Sequence, residues 1–160
     1  MKDVSKRREG IALFMQRQVP IFIHLAAARQ GKTPYICRGY GFQWEPEREL
    51  LWIIVLKAQW MRLKEYMEHQ QQLAALLTSG VDNESYQFKG RINGFRSLTK
   101  EDHFMVAEQS RRASRHLPSL APLLQVSPAE CLAVGIQIQA VFVQTPGPDA
   151  GSLVMESGDQ

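Results

Sequence analysis

Three features of the sequence predict a single, mostly β domain with flanking helices, of the α+β class. Over residues 19–28 every second position, from Val19 to Leu25, carries a branched apolar side chain, which is typical of a half-buried strand. Short polar turns at residues 29–32 and 46–49 separate extended segments, whereas apolar residues at helical spacing are confined to a few stretches. A length of 160 residues fits one domain with its own core.

The first half of the chain predicts a short helix and then a three-stranded meander. Helical spacing of apolar residues over residues 4–16 ends before Pro20, a residue that breaks helices. Because short turns join the extended segments that follow, neighbouring strands are expected to run antiparallel. The predicted strands cover residues 19–28, 33–44 and 50–57.

The second half predicts two helices and three strands. Helical spacing predicts a helix over residues 57–72, and the segment Thr99-Lys100-Glu101-Asp102 predicts a capping box at the start of a long, basic helix. The predicted strands cover residues 73–78, 84–92 and 131–144. One face of the last strand is expected to carry Leu132, Val134, Ile136, Ile138, Ala140 and Phe142. Residues 1–145 form the predicted domain, and residues 146–160 form a predicted flexible C-terminal tail.

The composition argues against several classes of protein. No apolar run approaches the roughly 18 residues that span a bilayer, and residues 1–10 are polar and charged, unlike a signal peptide. We therefore expect no membrane association and a cytoplasmic location. Cys37 and Cys131 lie far apart and the histidines form no paired-ligand spacing, so we expect reduced structural thiols and no metal site.

Positive charge is concentrated outside the predicted tail. The chain has a net charge of +3, although residues 146–160 contain acidic residues and no Lys or Arg. Basic residues gather in segments 57–64, 89–100 and 111–115, which makes phosphate or another anion a natural partner. Acidic residues interrupt the basic stretch 100–116 and no helix-turn-helix partner precedes it, which argues against nucleic acid as a ligand.

The order of these elements resembles that of the FMN-binding split barrels related to pyridoxamine 5′-phosphate oxidase. The shared plan is a short helix, three meandering strands, a helix with basic residues, two strands, a long helix and a last long strand. The most recognisable local match is Tyr86-Gln87-Phe88-Lys89-Gly90-Arg91-Ile92, similar to the strand of that family that ends in Gly-Arg or Gly-Lys. The resemblance covers nearly all of residues 7–145 and implies an antiparallel split β-barrel of the FMN-binding type.

A homodimer with two FMN molecules at the subunit interface is what the resemblance implies. In this family, basic or hydroxyl side chains near the start of the helix after the third strand meet the flavin phosphate, together with a basic residue of a neighbouring strand. Cations and free helix amides suit such a dianionic group. The usual Ser-Arg-Lys-like run is replaced here by residues 59–64. The implied cofactor-binding residues are Arg38, Lys57, Arg62, Lys64 and Lys89.

The implied function is FMN binding in an oxidoreductase of unknown substrate, whose catalytic residues the sequence does not identify. The alternative is a non-catalytic binding or stress-related split-barrel module that sequesters flavin or haem. A true pyridoxamine 5′-phosphate oxidase is not expected, because no Arg-x-His-like substrate segment follows Phe142. The half-polar strands and the aromatic residues Tyr40, Phe42 and Trp44 indicate that a monomer would expose apolar surface, so a homodimer is predicted.

Overall fold

The computed structural model describes residues 2–158, with side chains from Ser5 onward. Within that range the helices are α1 (Lys2–Met15), α2 (Lys57–Met67) and α3 (Lys100–His116). The strands are β1 (Ile21–Ala27), β2 (Tyr35–Glu45), β3 (Leu50–Leu56), β4 (Gln72–Ser79), β5 (Ser85–Arg96), β6 (Cys131–Val143) and β7 (Leu153–Glu156). Residues 159–160 of the predicted tail lie outside the described residues.

Strands β1 to β6 close into an antiparallel barrel. The order β3-β2-β1-β4-β5-β6 is completed by a further pairing of β3 with β6, so each of these strands has a neighbour on both sides. In that closing pair Leu56 lies opposite Cys131 and Leu50 lies opposite Gln137. The predicted meander of β1, β2 and β3 is confirmed, and so is the predicted class of a mostly β domain with flanking helices.

The barrel interior holds the main hydrophobic core. Along β1, alternate side chains from Ile21 to Ala27 are buried, which matches the alternation predicted for residues 19–28. Helix α1 adds Ile11 and Phe14 to this core, and α2 adds Trp60, Leu63 and Met67. Each fully buried large apolar side chain contributes roughly 1.5–3 kcal/mol to folding, so both helices are fixed to the barrel by packing.

Strand β6 departs from the predicted alternation in its second half. Ile138 is buried as predicted, but the next buried side chain is Val141, while Ala140 and Phe142 remain partly exposed. The cause is a β-bulge, because Gly90 of β5 lies opposite Ile138 and Lys89 lies opposite Ala140, leaving one extra residue in β6. A Cβ at Gly90 would collide with the backbone oxygen of Gln137, which explains why glycine occupies this position.

The predicted flexible tail contains an ordered strand. Residues Leu153–Glu156 form β7, which pairs antiparallel with β6 and sets Met155 opposite Val141. Val154 and Met155 are buried in the main core. The structure differs from the prediction because the two apolar side chains of this short segment have a sheet edge and a core to pack on, despite the glycines and prolines around them.

The two helices after β3 begin in different ways. Thr99 accepts a hydrogen bond from the amide of Asp102, whose side chain accepts one from the amide of Thr99, so the predicted capping box of α3 is confirmed. Helix α2 begins at Lys57 without a side-chain cap and ends at Met67, earlier than predicted, because Glu68 has a positive φ of 52°. Among the described helices, none has the length and apolarity needed to cross a bilayer.

Candidate functional site

A cavity of about 480 Å³ lies where α2 and β6 begin and where β5 ends; we call it the Lys57 cavity. Its volume falls within the range of roughly 300–1,000 Å³ that is usual for small-molecule sites. Polar side chains and apolar side chains share its wall, so it suits a ligand with both an anionic group and an apolar body. The residues that define it here are Lys57, Phe95, Arg96, Leu98, His103 and Leu132.

The start of α2 supplies one set of anion-binding groups. Leu56 precedes the helix in an extended conformation, no side chain caps the first amides, and the first turn contains no acidic residue. Among the described residues the Lys57 ammonium donates one hydrogen bond, to the carbonyl oxygen of Ala129 at 3.0 Å, and these residues leave its other two N–H groups available. An uncapped helix start with a lysine on its first residue attracts anions.

Arg96 is held firmly on one side of the cavity. Its guanidinium carbon lies 4.2 Å from the ring centroid of Trp52. Its Nη1 donates to the carboxylate of Asp102 and to the carbonyl oxygen of Ser97. Within residues 2–158 its Nε and Nη2 have no hydrogen-bond acceptor, and neither is buried away from solvent. The edge formed by these two nitrogens is therefore accessible to a ligand.

Asp102 is the buried anion that holds Arg96. Its side chain is 0% exposed and also accepts hydrogen bonds from Gln43 Nε2 at 2.7 Å and from the amide of Thr99 at 2.8 Å. Burial by itself raises the pKa of Asp102, but the hydrogen bonds from Arg96, Thr99 and Gln43 outweigh it and hold the pKa below its ordinary value of 3.8. Asp102 is therefore charged at neutral pH.

Trp52 provides a fixed surface beneath Arg96. Its indole Nε1 donates to Glu45 Oε1 at 2.9 Å, which fixes the ring edge. The ring lies so close to the backbone of Gly135 on β6 that a Cβ there would come within 2.9 Å of it. Trp52 on β3 thus crosses β6 and reaches the arginine at the end of β5.

Phe95 supplies an exposed aromatic face in the wall of the cavity. Its side chain is 53% exposed, and its ring centroid lies 5.9 Å from that of the buried Trp60. The ammonium of Lys64 lies 5.1 Å from the Phe95 ring centroid. An exposed aromatic ring beside a cation suits a planar, anionic ligand.

The other residues implied by the resemblance lie in different surroundings. Arg38 is exposed on β2 and donates to the carbonyl oxygen of Leu123 at 3.0 Å. Leu123 lies in the connection between α3 and β6, which also contains Ala129, the acceptor for Lys57. Arg62 is exposed on α2 and does not line the Lys57 cavity. Of the five implied residues, the cavity brings together Lys57 and, through Phe95, Lys64.

Lys89 lies in a separate groove of about 340 Å³, the Lys89 groove, defined by Ala26, Ala28, Pro34, Gln70, Ala74 and Lys89. Its ammonium lies 4.8 Å from the ring centroid of Phe142. Lys89 lies opposite Ala140 of β6. Leu56, the residue before Lys57, lies opposite Cys131 of the same strand, which is nine residues before Ala140. Nine residues of strand span about 30 Å, so Lys57 and Lys89 of one chain cannot contact the same phosphate.

Arg96, Phe95 and His103 are residues of the cavity that the sequence did not assign to a site. Arg96 was recognised only as one member of a basic segment. The sequence does contain a signal for Arg96. This residue ends a half-polar strand three residues before Thr99, which begins the capping box, so Asp102 of that box must lie near the end of the strand. His103 lies in the first turn of α3 and lines the cavity.

The two cysteines are buried, and Cys131 lies next to the cavity. Cys131 borders the cavity, but burial raises its pKa to about 11, and burial raises that of Cys37 to about 11 as well, so both remain neutral thiols near pH 7. In the part of the chain that the structure describes, no three His, Cys, Asp or Glu side chains group closely enough to hold a metal ion.

The fold is similar to that of several solved structures. General stress protein 26 from Bacillus anthracis strain Sterne matches with a TM-score of 0.50 at 15% identity, over 85% of this chain and 92% of that one. A protein from Clostridium acetobutylicum, related to general stress protein 26 and of the pyridoxinephosphate oxidase family, matches with a TM-score of 0.50 at 8% identity, over 90% and 91%. HupZ from Group A Streptococcus matches with a TM-score of 0.50 at 11% identity, over 87% and 98%.

These matches concern the fold alone. No protein-family model matches the sequence, and no curated protein matches it in sequence. The closed antiparallel barrel and the structural neighbours confirm the predicted resemblance to split barrels related to pyridoxamine 5′-phosphate oxidase, at the level of the fold.

Proposed function

We propose that this protein binds FMN with the flavin phosphate in the Lys57 cavity. The observation that carries the proposal is the convergence, at one cavity, of an uncapped helix start, the Lys57 ammonium and the accessible edge of Arg96. This donor set fits a phosphate monoester, which carries about two negative charges and needs cationic and amide donors. When bound, FMN supplies the electron chemistry of an oxidoreductase.

The apolar part of the cavity fits the remainder of a flavin. Phe95, Leu98 and Leu132 offer apolar contact beside the cationic groups, and the exposed ring of Phe95 is available for stacking. The protein then binds and orients the flavin. Among the residues implied by the resemblance, Lys57 becomes the preferred phosphate contact, Lys64 lies beside the Phe95 ring in the last turn of α2, and Arg38, Arg62 and Lys89 rank after them.

Flavin fluorescence titration tests this proposal. FMN should bind more tightly than riboflavin, since only FMN carries the phosphate. Lys57→Gln should weaken FMN binding about tenfold and leave riboflavin binding unchanged, because a charge-assisted bond contributes roughly 1.5–3 kcal/mol. Lys32→Gln, in an exposed turn, is the matched control. If Lys57→Gln binds FMN as the wild type does, the site is wrong; if the wild type binds no flavin, the function is wrong.

Haem sequestration is the second candidate, and one observation favours it. His103 is exposed and lines the Lys57 cavity, whose wall also contains apolar residues, and an imidazole is a usual ligand of haem iron. Absorbance spectra after addition of haem or FMN separate the two ligands, because a haem complex has a Soret band and a flavin complex does not. Loss of the haem spectrum in His103→Ala would support this alternative over flavin binding.

A homodimer is the proposed assembly. Phe42 is buried, so the apolar surface that favours a dimer lies elsewhere, on the outward-facing side of β1 and its neighbours. There Ala26 pairs with the exposed Ile36, and His24 pairs with the partly buried Leu76. A two-fold dimer would cover this face. Light scattering should give twice the 18.2 kDa mass of one chain, and a monomer mass at micromolar concentration would contradict it.

A further inference from the structure

The arginine in the Lys57 cavity has its orientation fixed without any ligand. The guanidinium lies over the ring of Trp52, its carbon 4.2 Å from the ring centroid, and the bond from Nη1 to the fully buried Asp102 holds one end of it. The opposite edge, made of Nε and Nη2, has no acceptor among the described residues. That edge carries two parallel N–H groups, the arrangement that binds two oxygens of one anion.

Other arginines of the chain differ from Arg96 in what their edges contact. Arg111 uses its Nε and Nη2 together on Glu108, so its edge is already occupied. Arg17 donates through both terminal nitrogens to Asp82 and Glu84. Arg91 lies on the same strand as Arg96 but is exposed, and its Nη2 donates to Gln71 Oε1 at 3.4 Å. Arg96 combines a fixed guanidinium with an accessible edge in a cavity.

We propose that Arg96 binds a phosphate monoester through its Nε and Nη2, and that Asp102 and Trp52 are the residues that position it. A phosphate is favoured over a carboxylate because Arg96, Lys57 and the uncapped start of α2 together supply more donors than two oxygens can accept. A phosphate monoester presents three terminal oxygens, whereas a carboxylate presents two. The inference deepens the proposed function and rests on the same cavity, but it does not require the phosphate to belong to a flavin.

Titration of the folded protein with phenyl phosphate, followed by heteronuclear NMR, tests the contact with Arg96. The Nε–H signal of Arg96 should shift on binding, and that of Arg91 should not. Arg96→Lys keeps the positive charge but loses the two parallel N–H groups of Nε and Nη2, so the affinity for phenyl phosphate should fall about tenfold or more. Arg91→Lys, on the same strand, should bind as the wild type does. Should Arg96→Lys not fold, the Nε–H shift in the wild type decides.

The positioning role of Asp102 is separated from a purely structural one by a pair of variants. Asp102→Asn removes the charge that holds Arg96, so both stability and phenyl phosphate affinity should fall. Gln43→Leu removes another hydrogen bond to the same carboxylate without touching Arg96, so stability should fall while affinity is kept. If affinity falls in parallel with stability in both variants, Asp102 has only a structural role and the positioning claim is wrong.

Four further outcomes test this inference, and the first two distinguish it from the proposed function. Arg96-dependent binding of phenyl phosphate without any FMN binding would support the inference and contradict the proposed function. Equal binding of both FMN and phenyl phosphate by wild type and Arg96→Lys would support the proposed function and overturn the inference. Benzoate binding as tightly as phenyl phosphate would overturn the assignment to a phosphate, and a wild type that binds neither would overturn the oxyanion site.

Discussion

The two ends of α2 give lysine residues opposite surroundings. The Lys57 cavity lies at the start of the helix, where the partial charge of the backbone is positive. The Lys89 groove is lined by Gln70 and Gln72, just beyond the end of the same helix, where that partial charge is negative. The first region also contains a fixed arginine, whereas in the second the described cation is a single ammonium over Phe142. A basic residue therefore indicates an anion site only together with the helix end and the buried partners around it.

The largest expected difference between the two regions is in stability. Asp102→Ala leaves Arg96, Gln43 and the amide of Thr99 without their acceptor, so the free energy of unfolding should fall by about 3–5 kcal/mol. Lys89→Ala removes an exposed side chain and should cost less than about 1 kcal/mol. Chemical denaturation of the two variants and the wild type measures both values. Similar losses of stability in the two variants would contradict the larger structural role assigned to Asp102.

The second-largest expected difference between the two regions is in their affinity for an anion. Lys57→Glu places a negative charge at the start of α2 and should weaken FMN binding about tenfold to a hundredfold. Lys89→Glu makes the same change of charge roughly 30 Å of strand away and should alter FMN affinity less than about twofold. Fluorescence titration with FMN and riboflavin measures both. A larger effect at Lys89 would move the phosphate site to the groove, or to an interface to which the groove contributes.

Most of the fold followed from local patterns in the sequence. The alternation of β1, the turns of the meander and the capping box of α3 depend on residues close in the chain, and the structure confirms them. The burial pattern in the second half of β6 did not follow, because the bulge opposite Gly90 is set by contacts between two strands. Strand β7 was missed because its few apolar residues have a strand to pair with only in the folded barrel.

The candidate site was only partly predictable for the same reason. Lys57 could be placed because it follows a clear strand at a predicted helix start. The accessible edge of Arg96 could not, because Trp52 comes to it from a distant strand, across β6, and the orientation of the guanidinium between Trp52 and Asp102 exists only in the folded barrel. Lys89 was implied by a local motif, and the register of β5 on β6 is what separates it from the Lys57 cavity.

The pH dependence of stability should reveal Asp102. Because the pKa of Asp102 is lower in the folded chain than its ordinary value of 3.8, its contribution is fully present above that value. The contribution is lost as the pH falls through the folded pKa, since the unfolded chain then binds the proton more readily. The stability advantage of wild type over Asp102→Asn should therefore be constant above about pH 5 and shrink below pH 3.8. Lys89→Ala, which keeps Asp102, should follow the wild type, and a pH-independent advantage would contradict the assignment.

The smallest expected effect concerns a feature that the two regions share. Lys64 lies 5.1 Å from the ring of Phe95 and Lys89 lies 4.8 Å from the ring of Phe142, so both ammonium groups make the same kind of contact. Double-mutant cycles that use Lys→Met and Phe→Leu should give a coupling of about 0.5–1 kcal/mol for each pair in the free protein. Saturating FMN should change only the coupling of Lys64 with Phe95, because only that aromatic ring lines the Lys57 cavity. A change at Lys89 and Phe142 instead would place the flavin at the end of α2, where the backbone charge is unfavourable to it.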